Sequence, residues 1–239
     1  MTTGNFSWAS DVLARRYPAW HGIDDLIEEA LSAHVGAGAI VLDAGCGQRS
    51  PLGRHGDRAR LVVGTDIDLA QIRQNVDCGA RGVADGARLP FQPGAFDVAL
   101  SKTAIEHMAD PEAFFAGVCD LLKPGGVFIW ATSNLRALPI RLSRMTPLAL
   151  HQWVYRKVFN AEQHVEAFPT YYRANTEAAL ERQLASAGFE PVASHRVSWP
   201  HYFAFSRIVF RAMLPVHRWS DAQGLQWLQV HLVGVSRKR

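Results

Sequence analysis

The chain has 239 residues, 48% of them hydrophobic, which is enough for one α/β domain with a substantial core. Its formal net charge of +3 conceals an asymmetry: residues 1–120 carry 10 Lys and Arg against 16 Asp and Glu, whereas residues 121–239 carry 15 against 6. Composition excludes a membrane-spanning chain, because no segment offers the roughly 18 uninterrupted apolar residues of a span. Cys46, Cys78 and Cys119 are widely separated, make no paired metal spacing and fit reduced thiols.

Residues 8–18 read as a short helix stopped by Pro18. Residues 24–31 begin an amphipathic helix with Asp24 and Asp25 in its first turn, where the helix dipole favours acids. Residues 39–42 are apolar without alternation, as in a parallel strand buried on both faces, and run into Asp43-Ala44-Gly45-Cys46-Gly47. Glycines directly after such a strand allow a tight turn and let a ligand approach the backbone. A second strand, residues 61–65, ends on Asp66 at roughly the 20-residue interval expected of a ribose-binding acid. Residues 83–91 then place Asp85 and Gly86 after a further apolar segment. A fourth strand at residues 96–100 leads into Ser101-Lys102-Thr103-Ala104-Ile105-Glu106-His107, and residues 121–130 read as a helix end, a Pro-Gly-Gly turn and a fifth strand.

The interval from 132 to 175 is too long for an ordinary connection and predicts structure of its own. Within it residues 148–159 have helical character and form a candidate lid. Residues 168–176 combine aromatics with polar tips, making Tyr171, Tyr172 and Arg173 pocket candidates; the alternative is that they cap and pack the helix of residues 176–186, which Gly188 ends. Residues 190–197 and 228–235 are the last strand candidates. Between them residues 202–214 form an apolar helix-like segment with Arg207 and Arg211 four apart, a pattern that suits either an interfacial helix on anionic lipid or packing against the protein's own core.

Taken in order, the motifs between Ala39 and Trp130 resemble those of the class I S-adenosylmethionine-dependent methyltransferases, in particular the type 11 group. The resemblance implies a Rossmann-like α/β fold: a seven-stranded sheet of order 3-2-1-4-5-7-6 with the last strand antiparallel and a helical lid insertion. It implies a single domain over 1–239, with a cofactor-binding core at 38–131, the lid at 132–175 and C-terminal helices and strands at 176–239. By the same resemblance Asp43, Gly45 and Gly47 surround the methionine part of S-adenosylmethionine, Asp66 holds its ribose, Ile67, Asp85 and Gly86 flank the adenine, and Ser101 lies near the sulfonium end. The chain departs from the family at Arg49, where a third glycine is frequent. A nicotinamide-dependent dehydrogenase, the rival for this turn, needs a third glycine where this chain has Ser50.

Methyl transfer from a sulfonium is an in-line displacement, so positioning dominates, and an oxygen or nitrogen nucleophile still needs a base. His107 is the first candidate because it follows the fourth strand, whose C-terminal end faces the ligand crevice; the alternative is that it anchors the helix beyond Asp110-Pro111. His151 and His164 are the weaker candidates. Glu106-His107 also resembles the ubiquinone-pathway O-methyltransferases, but the further Glu of their metal site is Thr103 here, so no metal is expected. Nucleic acid is not expected as a substrate either, because Ser101-Lys102-Thr103-Ala104 stands where the family's base-flipping members carry an Asn or Asp, Pro, Pro and aromatic run.

The basic half favours an anionic partner, against the alternative of solvated helix faces. The expected substrate is therefore a small or lipid-like anionic molecule, with peripheral membrane contact as a further expectation. Three widely separated cysteines that fit reduced thiols and an N-terminus without a basic and then apolar run set the expected compartment as the cytoplasm. A catalytically silent cofactor-binding or membrane-docking protein on the same fold is the alternative function.

Overall fold

The computed structural model describes residues 7–145 and 168–239. In chain order its helices and strands are α1 (Ser7–Arg16), α2 (Ile23–His34), β1 (Ile40–Ala44), β2 (Leu61–Asp66), α3 (Leu69–Gln74), β3 (Ala80–Val83), β4 (Phe96–Lys102), α4 (Pro111–Leu121), β5 (Leu122–Ser133), α5 (Leu138–Met145), α6 (Glu177–Ser186), β6 (Phe189–Val197), α7 (Arg207–Ala222) and β7 (His231–Lys238). Half of the candidate lid, with the helical segment 148–159, His151 and His164, lies outside the described residues.

The seven strands form one mixed sheet of order β3-β2-β1-β4-β5-β7-β6, as the resemblance implies. β1 to β5 pair in parallel, with Asp43 opposite Gly64 on one side and Leu100 on the other. β7 runs the other way: Gly234 faces Trp130, so closely that a Cβ on it would meet the indole at 2.2 Å, and Lys238 Nζ at the end of β7 donates to the carbonyl of Leu122 at the start of β5, at 2.8 Å. The Pro-Gly-Gly turn interrupts β5 rather than preceding it. Leu122 pairs with Phe96 and Val127 with Val98, so residues 123–126 bulge out, with Gly125 in the left-handed region at φ 75°.

The described residues fall into two compact units. One, built from Ile23–Ser133, Thr170–His195 and Leu232–Arg239, contains nearly all of the sheet. Its core is aromatic: Phe128 of β5 lies 6.1 Å from Phe114, 6.2 Å from Phe115 and 5.6 Å from Phe189, ring centre to ring centre, and all four are fully buried. α4 starts where Asp110 accepts from the Ala113 N–H and Pro111 sets the first turn, and α6 starts likewise at Thr176.

The other unit comprises Met1–Gly22, Asn134–Pro169 and Arg196–His231. α1 contributes Ala9 and Leu13 to its core, α7 contributes Phe210 and Leu214, and Trp8 packs edge-on against Phe210 at 5.1 Å. Asp221 ties the unit together by accepting from Tyr17 Oη at 2.9 Å, Ser198 Oγ at 2.7 Å and Gln229 Nε2 at 3.3 Å. The helix expected within residues 202–214 is displaced. A 3-10 turn at Pro200–Phe203 comes first, Ser206 then caps α7, and the helix passes through Pro215 to Ala222 because the proline ring faces solvent and the inward Phe210, Leu214 and His217 hold both sides of it.

Candidate functional site

The site is built on the C-terminal ends of β1, β2 and β4. In the order β2-β1-β4 the chain connections reverse direction between β1 and β4, and in open α/β sheets the ligand crevice opens at such a point. The turn after β1 is held by its own backbone: the N–H groups of Gly45 and Cys46 donate to the Thr65 carbonyl at 2.7 and 3.0 Å. Gly45 has φ 84° and lies so close to the turn after β4 that a Cβ would sit 2.5 Å from that of Ala104. Gly47, at φ 53°, donates its N–H to Asp66 Oδ2 at 2.9 Å and accepts from Asn75 Nδ2 at 3.0 Å. Asp66 Oδ1 meanwhile accepts from the Asp68 N–H at 3.0 Å.

Asp43 is 2% exposed. Its Oδ2 accepts a 2.5 Å hydrogen bond from Ser50 Oγ, while its Oδ1 is buried without a protein partner. Burial pushes its pKa up to about 7, against the opposing pull of the Ser50 hydroxyl and the Lys102 charge. Ser101, on the strand beside it, is fully buried and its Oγ also has no protein partner. Buried polar atoms without a partner are uncommon in folded proteins, and these two lie on adjacent strand ends.

Ile67 is 62% exposed at the end of β2, an apolar surface left open. Asp85 is exposed and caps the 3-10 turn Gly86–Arg88 by accepting from the Ala87 N–H at 3.0 Å. Gly86 lies against protein, since a Cβ there would meet Met108 Cε at 2.8 Å and the Phe114 ring at 3.2 Å.

After β4, Thr103 takes the left-handed conformation, φ 54°, which strains a β-branched residue. The 3-10 turn Ile105–His107 follows, with His107 half-buried and Glu106 buried. Glu106 is a hub that no local sequence pattern marks. Its Oε2 accepts from Thr132 Oγ1 at 2.8 Å and its Oε1 from Ser133 Oγ at 2.9 Å, and Asn175 Nδ2 donates to Thr132 Oγ1 at 2.7 Å. Its backbone carbonyl accepts the N–H groups of Tyr171 and Tyr172, at 2.8 and 3.2 Å. Arg173 completes the contact by donating to the Ala109 carbonyl at 2.5 Å, with its guanidinium 5.6 Å from the centre of the Tyr171 ring.

The structure therefore groups Asp43, Gly45, Gly47, Asp66 and Ser101 about the β1 turn, and His107, Tyr171, Tyr172 and Arg173 about the turn after β4. It adds three residues to the first group. Ser50 supplies the Asp43 hydrogen bond, and Asp77 accepts from the Ser50 N–H at 2.9 Å and pairs with Arg49 at 3.1 Å. Asn75 is the third, through Gly47. The departure at Arg49 thus has a structural counterpart, an ion pair on the outside of the loop. The Ser50-Pro51 capping pattern was the sequence signal for Ser50.

A family model described as a methyltransferase domain matches residues 42–130. A probable S-adenosylmethionine-dependent methyltransferase of Mycolicibacterium smegmatis is 30% identical over 177 residues, covering 72% of this chain and 59% of the relative. A ubiquinone biosynthesis O-methyltransferase of Caulobacter vibrioides is 31% identical over 147 residues, covering 55% and 57%. The chain thus spans somewhat under three fifths of the length of these curated relatives. Among solved structures, an S-adenosylmethionine-dependent methyltransferase from Mesorhizobium loti superposes with a TM-score of 0.62 at 18% identity, covering 91% of this chain and 98% of that one, a likeness of fold.

Proposed function

Because the chain belongs to the class I S-adenosylmethionine-dependent methyltransferases, we propose that it transfers a methyl group from S-adenosylmethionine to a small-molecule or lipid-like acceptor carrying a negative charge. The observation that carries the reading is the pair of buried, unpartnered oxygens, Asp43 Oδ1 and Ser101 Oγ, beside a glycine turn at the point where the strand order reverses. These acceptors fit a ligand rich in N–H and O–H donors, as this cofactor is.

In this reading Asp43, Gly45 and Gly47 line the methionine part and Asp66 receives the ribose hydroxyls. Ile67 supplies apolar surface for the adenine, with Asp85 and Gly86 at its edge, and Ser101 lies toward the sulfonium. When bound, the cofactor supplies a methyl group on a positively charged sulfur, a good leaving group. What the protein adds is orientation and exclusion of water. His107 takes the acceptor's proton as general base. Tyr171 and Tyr172 supply flat amphipathic contacts, and Arg173 suits a carboxylate or phosphate through its planar fork.

The ubiquinone O-methyltransferase relatives support a small-molecule acceptor, and the excess of basic residues after 120 supports an anionic one. A cytoplasmic protein working at or near a membrane surface fits this substrate class, and no helix of the described residues is long and apolar enough to cross a membrane. The test is to incubate the purified protein with methyl-labelled S-adenosylmethionine and cell extract, then partition the products. Label in the organic phase supports the lipid-like acceptor and label in the aqueous phase a polar one. Cofactor binding with no labelled product would replace the reading with a silent binding protein on this fold.

A further inference from the structure

We propose that the outward face of α7 docks on the surface of an anionic lipid bilayer. Successive residues of a helix are about 100° apart. On α7 this places Phe210, Leu214, His217 and Ser220 together on one side, where all four are buried. One flank of that side carries a row of exposed arginines, Arg207, Arg211 and Arg218, about 60–100° round from Phe210, and beside that row, roughly opposite Phe210, lie Ile208 and Trp219, which are 83% and 57% exposed. Phe205, just before the helix, is 53% exposed. No acid occurs between Arg207 and Ser220.

Among the described residues none of the three arginines is ion-paired. Two are instead held by aromatic rings of the same unit: the Arg207 guanidinium lies 5.3 Å from the centre of the Trp8 ring, and that of Arg218 5.7 Å from Tyr17 while it donates to the Arg16 carbonyl at 3.2 Å. The field around the face is positive as well, since the described residues of this unit hold nine arginines against Asp11 and Asp221.

The occupant follows from the pairing of the two stripes. Charge alone would suit a nucleic acid or an acidic protein, but the exposed Ile208 and Trp219 gain only where an apolar phase lies beside the negative charge. A bilayer offers that arrangement, with anionic headgroups above the acyl boundary. A 16-residue helix is too short to cross a bilayer of ordinary thickness, so α7 lies in the plane of the surface. The inference stands independently of the methyl-transfer reading.

The test is sedimentation of the full chain with vesicles of phosphatidylcholine alone and of phosphatidylcholine with about one third phosphatidylglycerol. The protein is expected in the pellet with the anionic vesicles only, and to be released as salt rises and shortens the screening length. Arg211→Glu and Ile208→Ser change exposed side chains, so the fold is retained; each is expected to weaken anionic-vesicle binding roughly fivefold or more, the scale of one basic residue at such a surface. Arg182→Glu, an equal charge change on α6, is expected to bind as the parent does. Failure to sediment, equal binding to neutral vesicles, or parent-like binding by both α7 variants would overturn the proposal, as would capture of polyuridylate or polyglutamate in place of vesicles.

Discussion

The backbone N–H of Gly47 donates to Asp66 Oδ2 at 2.9 Å, so the turn that ends β1 and the acid that ends β2 fix one another. The second oxygen of Asp66 accepts from the Asp68 N–H, which begins the path into α3. One carboxylate therefore shapes the loop and presents the charge that the proposed ribose contact requires. Asp66→Ala is expected to lower S-adenosylmethionine affinity at least tenfold by calorimetry, the scale of one hydrogen bond to a charged group at about 1.5–3 kcal/mol. Asp66→Asn keeps an acceptor for Gly47 and should lose less. Parent-like affinity in the alanine variant would remove Asp66 from the ribose site.

His107 follows the strained Thr103 and the buried Glu106, a placement in which its backbone N–H donates to the Ala104 carbonyl at 3.0 Å. If it is the base, His107→Ala should cut kcat by about 10²–10⁴ while leaving cofactor affinity within twofold. Turnover at the parent rate would leave His107 a packing residue.

The strands and the glycine turn were legible because their signals are local. The apolar run of residues 39–42, the acid at Asp66 and the positive-φ glycines each need only a few neighbouring residues to be read. Asn75, Asp77 and the contacts of Ser50 beyond its cap were not, because their partners lie 7 to 28 residues away and the contacts exist only once β1 and β2 pair. Glu106 is the same case over a longer span: its side-chain partners are 26 and 27 residues on, at the end of β5. The start of α7 at Arg207 was lost to Pro200, whose turn absorbs the first aromatic residues of the apolar run, and its end was hidden because Pro215 reads as a stop.

That hub yields a stability prediction. Glu106→Ala leaves the hydroxyls of Thr132 and Ser133 facing a buried space without their acceptor, and a buried polar group stranded in this way costs about 1–3 kcal/mol. The denaturant midpoint should fall accordingly. The Tyr171 and Tyr172 amide protons, bonded to the Glu106 carbonyl, should exchange faster by hydrogen–deuterium measurement. Glu106→Gln, which retains one acceptor oxygen, should fall between parent and alanine. No change in midpoint or exchange would show that the network carries no load.

His217 lies inside its unit, 1% exposed, with neither ring nitrogen hydrogen-bonded and the Phe203 ring edge-on at 5.7 Å. Burial drives its pKa down to about 4 against the opposing pull of Asp221. In the unfolded chain the ring regains an ordinary value near 6.5, so between about pH 6.5 and 4 the unfolded state binds the proton and the folded state does not. The stability contributed by the neutral ring is complete above that window and is lost as pH falls through it. Asp43 runs the opposite way: its carboxyl is lifted to about 7, so its contribution is complete below the ordinary carboxylate range and is lost as pH rises toward 7. Whole-protein stability thus mixes two opposing slopes, and the informative quantity is the difference between parent and His217→Phe at each pH. That difference should shift in favour of the variant by a few kcal/mol, the scale of about two pKa units, as pH falls from 7 to 4.5 in denaturant titrations. A difference that stays flat across the window would mean that the ring reaches solvent or a proton acceptor in the folded state.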